Sequence, residues 1–135
     1  MPTDPAIGLV TVPSAHGAAA TLDRLEALLK QKGVTVFARV DHAAGAAAVG
    51  LPLRPTAVLL FGNPQVGTPL MQSNQTAGID LPLKALAWED ADGRSWLTYN
   101  DPAYVARRHS VVNRDDILRA MAAALEALAK AATAP

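Results

Sequence analysis

A uniformly apolar run, Thr56–Gly62 (TAVLLFG), constrains the possible folds of this chain more than any other feature. It ends at Asn63-Pro64, a dipeptide typical of turns. Runs of this length and composition are typical of β-strands that are covered on both faces. We therefore predict a strand in the interior of a sheet, and the rest of the chain has to supply the layers that cover it.

Four further strands are predicted around this run, at residues 8–12, 34–41, 84–90 and 95–100. The last two flank Asp92-Gly93, which is a strong signal for a hairpin turn. In the second strand, alternation predicts that one face carries Val34, Val36, Ala38 and Val40.

Two helices complete the predicted fold. Leucines recur at helical spacing between Ser14 and Gly33, and a second apolar stripe follows Asn113 and runs to Leu128. The predicted order is β-α-β-β-β-β-α. It indicates a single α+β domain over residues 1–135, with a mostly antiparallel sheet, both helices packed on one face and residues 1–6 as a loose terminus.

Composition excludes several classes of function. Lys plus Arg and Asp plus Glu both number 12 in the 135 residues, so the formal charge is zero, which argues against a nucleic-acid or anionic-membrane binder. Cysteine is absent, which excludes a disulfide scaffold and a thiol nucleophile. No apolar run approaches a membrane span, and no secretory signal is visible, so we expect a cytoplasmic protein.

Residues 63–83 form the longest stretch without a clear hydrophobic period. The segment contains Pro64, Pro69 and Pro82, and it has room for one or two helical turns near residues 68–75. Irregular segments of this length are uncommon inside compact domains and are often functional. A binding site is therefore expected beside this segment.

Polar residues at the predicted strand ends are the candidates for such a site: Asp41, His42, Asn63, Asp80 and Tyr99. His42 would act as a general base or metal ligand oriented by Asp41 or Asp80, and the alternative is a histidine that caps a strand end. Asp80 and Asp101 form a possible acid–base pair. Asp101 precedes Pro102, however, which favours a helix N-cap there.

The histidine and acidic residues of the sequence give only weak support for a metal site. His109 would join His42 as a ligand only if the fold brings the two together, and no pair of ligands stands at a fixed metal-binding spacing. We therefore predict no metal site, and the sequence indicates no particular cofactor. The run Arg107-Arg108-His109 is interpreted as the solvated end of a helix, and the alternative is that it binds a phosphate or a carboxylate.

Five motifs occur in an order that resembles the family of domains of unknown function numbered 302: Asp41-His42-Ala43, Phe61-Gly62-Asn63-Pro64, Gly67-Thr68-Pro69-Leu70-Met71, Asp80-Leu81-Pro82-Leu83-Lys84 and Tyr99-Asn100-Asp101-Pro102. The resemblance covers residues 8–132. It implies an α+β fold of the TATA-binding-protein-like type and a homodimer. It implies no activity, and a fold name alone does not imply DNA binding.

Two functions therefore stay open, and so does the question of whether the protein is an enzyme. In the first, the five candidate residues line a pocket for a small molecule that residues 63–83 close. In the second, the chain is a non-catalytic homodimeric or partner-binding module. Its interface would then use Leu70, Met71, Trp88 or Trp96.

Overall fold

The computed structural model describes residues 7–135, so the expected loose terminus at residues 1–6 lies outside the described residues. Five strands form one sheet in the order β1-β5-β4-β3-β2. Their bounds are β1 (Leu9–Ser14), β2 (Thr35–Asp41), β3 (Thr56–Gly62), β4 (Leu83–Glu89) and β5 (Ser95–Asn100). Every neighbouring pair is antiparallel, which confirms the predicted fold class.

The predicted element order held two helices, with further helical turns expected near residues 68–75 and after Asp101. The described chain contains five α-helices: α1 (Ala18–Gln31), α2 (His42–Ala48), α3 (Pro64–Ser73), α4 (Pro102–Arg108) and α5 (Asp115–Thr133). A 3₁₀ helix, Gln75–Ile79, follows α3. Helices α1 and α5 are the two that were predicted. The similarity to the TATA-binding protein stays a prediction.

Side-chain caps explain the three additional helices. Asp41 accepts a hydrogen bond from the amide of Ala44 at 2.9 Å, and Asn63 accepts one from Gln65 at 2.9 Å. Asp101 likewise accepts one from Ala103 at 3.0 Å, which confirms its predicted role as an N-cap. A cap satisfies the free amides of a first turn, so these helices form without a long apolar stripe.

The main core lies between the sheet and the helices α1 and α5. From β3, Ala57, Leu59 and Phe61 face this core and are buried. Ala85 and Ala87 of β4 are buried beside them, and these small side chains let the helices approach the sheet closely. The core therefore covers one face of the sheet.

The opposite face is only partly covered, so the expectation of a strand buried on both faces is wrong. We call it the open face, defined by Ala38, Val40, Val58, Leu60, Leu86, Trp88 and Trp96. Both tryptophans lie on it as a stacked cross-strand pair, with ring centroids 6.2 Å apart. Central antiparallel strands need only one covered face, and on the other face Val58, Leu60 and Leu86 are half-buried, whereas Trp96 is buried.

A β-bulge in β2 corrects the predicted face of that strand. The register shifts between Val36 and Ala38, so Val36 pairs with the core residue Phe61, whereas Ala38 pairs with Leu60 on the open face. One extra residue reverses the side-chain alternation beyond it. The four residues predicted to share a face are therefore divided between the two faces.

Candidate ligand-binding pocket

An apolar pocket of about 510 Å³ lies at the end of the sheet where β3 ends and β4 begins. Residues from the sheet, α3, the 3₁₀ helix, the following loop and α5 enclose it. Its apolar side chains come from Phe37, Leu60, Pro64, Val66, Met71, Leu81, Pro82, Leu83 and Met121. Residues 63–83 thus form most of the wall, and the binding role expected for this segment stays a prediction.

The lining contains no titratable side chain among the described residues. Asn63 and Thr68 are its two polar side chains, and Asn63 uses Oδ1 to cap α3. Acid–base chemistry needs groups that exchange protons, and none is present in this lining. The hydroxyl of Thr68 has no base beside it in the lining to activate it as a nucleophile. The pocket is therefore suited to bind a ligand by apolar contact and shape.

Glycines provide the space for this pocket. A Cβ on Gly67 of α3 would lie 3.5 Å from Leu81 Cδ1, and one on Gly62 would lie 3.5 Å from Phe37 Cε2. Both are ordinary contact distances, so a Cβ fits at either position, and the remaining atoms of a larger side chain would enter the cavity. Met71 approaches Gly78 on another wall, and methionine adapts its shape to what it contacts.

A cluster of polar side chains, which we call the latch, fastens one wall of the pocket to α4. It consists of Asp80, Arg108 and His109. The Nε2–H of His109 donates to Asp80 Oδ2 at 2.5 Å, and Arg108 Nη1 donates to both carboxylate oxygens at 3.2 Å. Since Asp80 directly precedes Leu81 and Pro82, the latch fixes the loop that lines the pocket.

The latch continues into the start of the 3₁₀ helix. His109 Nδ1 lies 3.0 Å from Thr76 Oγ1, and Asn74 Nδ2 donates to the carbonyl oxygen of His109. His109 is buried, with 7% of its side chain exposed, although its basic neighbours suggested a solvated helix end. The sequence contained one signal, since Asp80, unlike Asp101, has no evident local capping role.

The five candidate residues do not converge on one site. Asn63 lines the pocket and Asp80 holds its wall, so these two belong to the same end of the sheet. Asp41 pairs with Ala57 at the other end of β3. Six residues of extended chain separate Ala57 from Asn63, a distance of about 20 Å. His42, which directly follows Asp41, is exposed there.

Tyr99 lies neither in the pocket nor beside Asp41 and His42. It projects from β5 into the main core below α5, and it does not line the apolar pocket. Burial raises the pKa of its phenol, and the charges of Glu126 and Asp101 raise that pKa further. A shared site built from His42, Asp80 and Tyr99 is therefore absent from the described structure.

Within residues 7–135, no group of three histidine or acidic side chains is arranged to hold a metal ion. None of the helices described is both long enough and apolar enough to cross a membrane.

An antiparallel sheet backed by two helices, with an apolar pocket at one end, defines a small α+β domain with a cavity. The chain belongs to the family described as "Domain of unknown function DUF302", which it matches over residues 10–134. The fold agrees with a solved structure, titled "Crystal structure of uncharacterized conserved protein DUF302 from Bacillus stearothermophilus". The TM-score is 0.73 at 25% identity, covering 94% of this chain and 96% of the other.

Curated relatives extend the comparison. The chain is 55% identical over 115 residues to a Brucella suis protein named "Fluoride-specific ion channel FluC 1", and equally similar to a Brucella abortus protein of the same name. The match covers 84% of this chain, but only 45% and 43% of those relatives. The chain thus spans less than half the length of the curated relatives it matches.

Proposed function

We propose that this protein is a non-catalytic binding module for a small, mostly apolar molecule. The observation that carries the proposal is the pocket of about 510 Å³, lined almost entirely by apolar side chains. This volume lies within the range of about 300–1,000 Å³ that is typical of ligand sites. Apolar burial supplies affinity, and the lack of titratable groups in the described lining favours binding over catalysis.

One polar group gives the ligand an orientation. Asn63 directs Oδ1 to the amide of Gln65, and its Nδ2 donates to no acceptor among the residues that the structure describes. A bound molecule with a carbonyl or ether oxygen would accept from this amide. We therefore propose a ligand with an apolar body and a single acceptor group, in keeping with the usual composition of such sites.

Titration with N-phenyl-1-naphthylamine, an uncharged probe that fluoresces in apolar surroundings, tests the proposal. We expect one probe molecule per chain and a Kd of about 10 μM, since burying one aromatic body supplies roughly 7 kcal/mol. Decanol, which is apolar with one oxygen, should displace the probe. If the fluorescence stays at its level in buffer, the pocket does not bind apolar molecules.

The relatives suggest a setting for this module. Because no helix in residues 7–135 is suited to cross a membrane, we propose that the domain accompanies a fluoride channel and does not form its pore. The pocket also lacks the cations that would bind fluoride. Replacing chloride by fluoride in the probe titration should therefore leave the Kd unchanged, and a fluoride-specific change would argue against this assignment.

A second candidate function, homodimerisation, is favoured by the open face. Val40 is exposed, and Val58, Leu60, Leu86 and Trp88 are half-buried although they are apolar. We propose a second copy of this chain as the occupant. A neutral chain does not repel its own copy, and two identical apolar faces are self-complementary across a two-fold axis.

Placing a charge on the open face should separate such a dimer. Leu86→Glu puts a carboxylate at the centre of the face, and desolvating it should weaken association at least about fiftyfold. Val112→Glu is the matched control, since Val112 is an exposed apolar residue outside the sheet. Sedimentation equilibrium at micromolar concentration measures both variants. A monomeric parent protein, or equal effects of the two substitutions, would reject this interface.

A further inference from the structure

A second concavity, of about 550 Å³, lies between β1 and α5. It shares no lining residue with the apolar pocket. Its walls are apolar and come from Val10, Val12, Pro13, Pro102, Ala122 and Ala129. The polar side chains in this groove are Tyr99, Asp101, Glu126, Lys130 and Thr133. The groove therefore combines an apolar channel with a cluster of charged and hydroxyl groups.

Tyr99 is a buried residue of this groove whose side chain makes no hydrogen bond within residues 7–135. It is 7% exposed, and its hydroxyl makes no hydrogen bond with any residue that the structure describes. No fully enclosed side-chain nitrogen or oxygen in the described chain lacks a partner, so the phenol oxygen is not fully enclosed, and Tyr99 lines the groove. Buried hydroxyls normally find a partner, and this one is available to a ligand.

Two carboxylates in the groove favour a positively charged ligand beside the hydroxyl of Tyr99. Glu126 and Asp101 line the same groove as Tyr99, and, after burial, their charges raise the pKa of Tyr99. Glu126 is exposed and forms no ion pair within residues 7–135, and Asp101 uses Oδ1 to cap α4. A cation placed between these groups would gain two favourable charges and a hydrogen-bond acceptor.

We propose that the groove binds a primary ammonium group carried on a short apolar chain. The ammonium would donate to the Tyr99 phenol oxygen and face Glu126 and Asp101. The apolar chain would lie against the β1 side of the groove, along Val10 and Val12. Lys130 lies four residues after Glu126 in α5, lines the same groove and competes with the ligand for this negative field. This inference is independent of the apolar pocket.

Proton NMR of the tyrosine rings provides the test, because the chain has only two tyrosines and Tyr104→Phe assigns their signals. The probes are n-butylammonium chloride, 1-butanol and sodium butyrate, which share an apolar body. We expect the ammonium to shift the Tyr99 signals with a Kd at least about tenfold below that of butanol, and butyrate to cause no shift. Equal binding of butanol and the ammonium would overturn the proposal.

Variants that remove single charges test whether Glu126 and Lys130 act on n-butylammonium binding. Glu126→Gln should weaken n-butylammonium binding about fivefold, and Lys130→Gln should strengthen it about threefold, because a competing cation is removed. Asp92→Asn, which neutralises an exposed carboxylate on the β4–β5 turn, should change nothing. If Glu126→Gln and Asp92→Asn weaken binding equally, the ammonium responds only to net charge and the groove is not its site.

Discussion

Replacing Gly67 with leucine is expected to abolish binding of the apolar probe and to leave the fold intact. A Cβ at this position meets Leu81 Cδ1 at 3.5 Å, so the first added atom fits, and the remaining atoms enter the pocket. We expect the Kd to rise at least about a hundredfold, or about 2.8 kcal/mol. Gly67 lies within α3, where leucine is favoured over glycine by up to about 1 kcal/mol, so the melting temperature should not fall.

Gly45→Leu is the matched control for this substitution. Gly45 also lies within a helix, α2, and a Cβ there would meet nothing within 4 Å. This variant gains the same helix propensity without filling the pocket, so its Kd for the probe should equal that of the parent protein. Unchanged binding by Gly67→Leu would place the probe outside the pocket, and so would equal losses in the two variants.

Asp80→Ala is expected to destabilise the protein by about 3 kcal/mol, because it leaves the ring N–H of buried His109 without its acceptor. Asp80 and His109 have 15% and 7% of their side chains exposed, so solvent replaces this bond poorly. Arg108 contributes less, since 54% of its side chain is exposed and water screens the pair. The midpoint of urea denaturation measures the loss.

Two comparison variants separate the latch from ordinary capping. Asp41→Ala removes a helix cap without breaking a buried pair and should cost about 1 kcal/mol. Asp80→Asn keeps an oxygen that accepts from His109, so we expect a loss between those of the two alanine variants. If Asp80→Ala costs no more than Asp41→Ala, the latch does not stabilise the pocket wall.

The elements with long hydrophobic patterns were predictable from the sequence. The apolar run of β3, the Asp92-Gly93 turn between β4 and β5, and the leucine stripes of α1 and α5 all correspond to observed elements. Each depends on contacts that recur along one element, so its pattern is visible locally. The N-cap at Asp101 was also predictable, because Pro102 stands at the first helical position.

The features that depend on distant partners were not predictable in the same way. The bulge in β2 reverses its side-chain alternation, but its cause lies in the pairing with β3. His109 is buried because the fold brings it to Asp80, 29 positions earlier in the chain. Asp41 and His42 appeared to join Asn63 because all three follow strands. In an antiparallel sheet, however, two strands that follow each other in the chain and pair end at opposite ends of the sheet.

The sequence predicted where a pocket would lie, but not the chemical character of its lining. Residues 63–83 were predicted to lie beside a binding site because they lack a clear hydrophobic period, and they form most of the wall of the pocket. The sequence suggested a polar site, whereas the cavity is apolar. The difference arises because the polar residues cap helices or form the latch, and residues such as Met71 and Leu83 are left to face the cavity.

Methyl NMR of the methionines tests the central claim most directly. The chain has three methionines, and two of them, Met71 and Met121, line the pocket from different helices. Adding N-phenyl-1-naphthylamine to methyl-labelled protein should shift both of these signals with one common Kd, because aromatic rings strongly displace nearby methyl resonances. Probe binding that leaves the signals of Met71 and Met121 unmoved would show that the ligand lies elsewhere and that the apolar pocket is not the site.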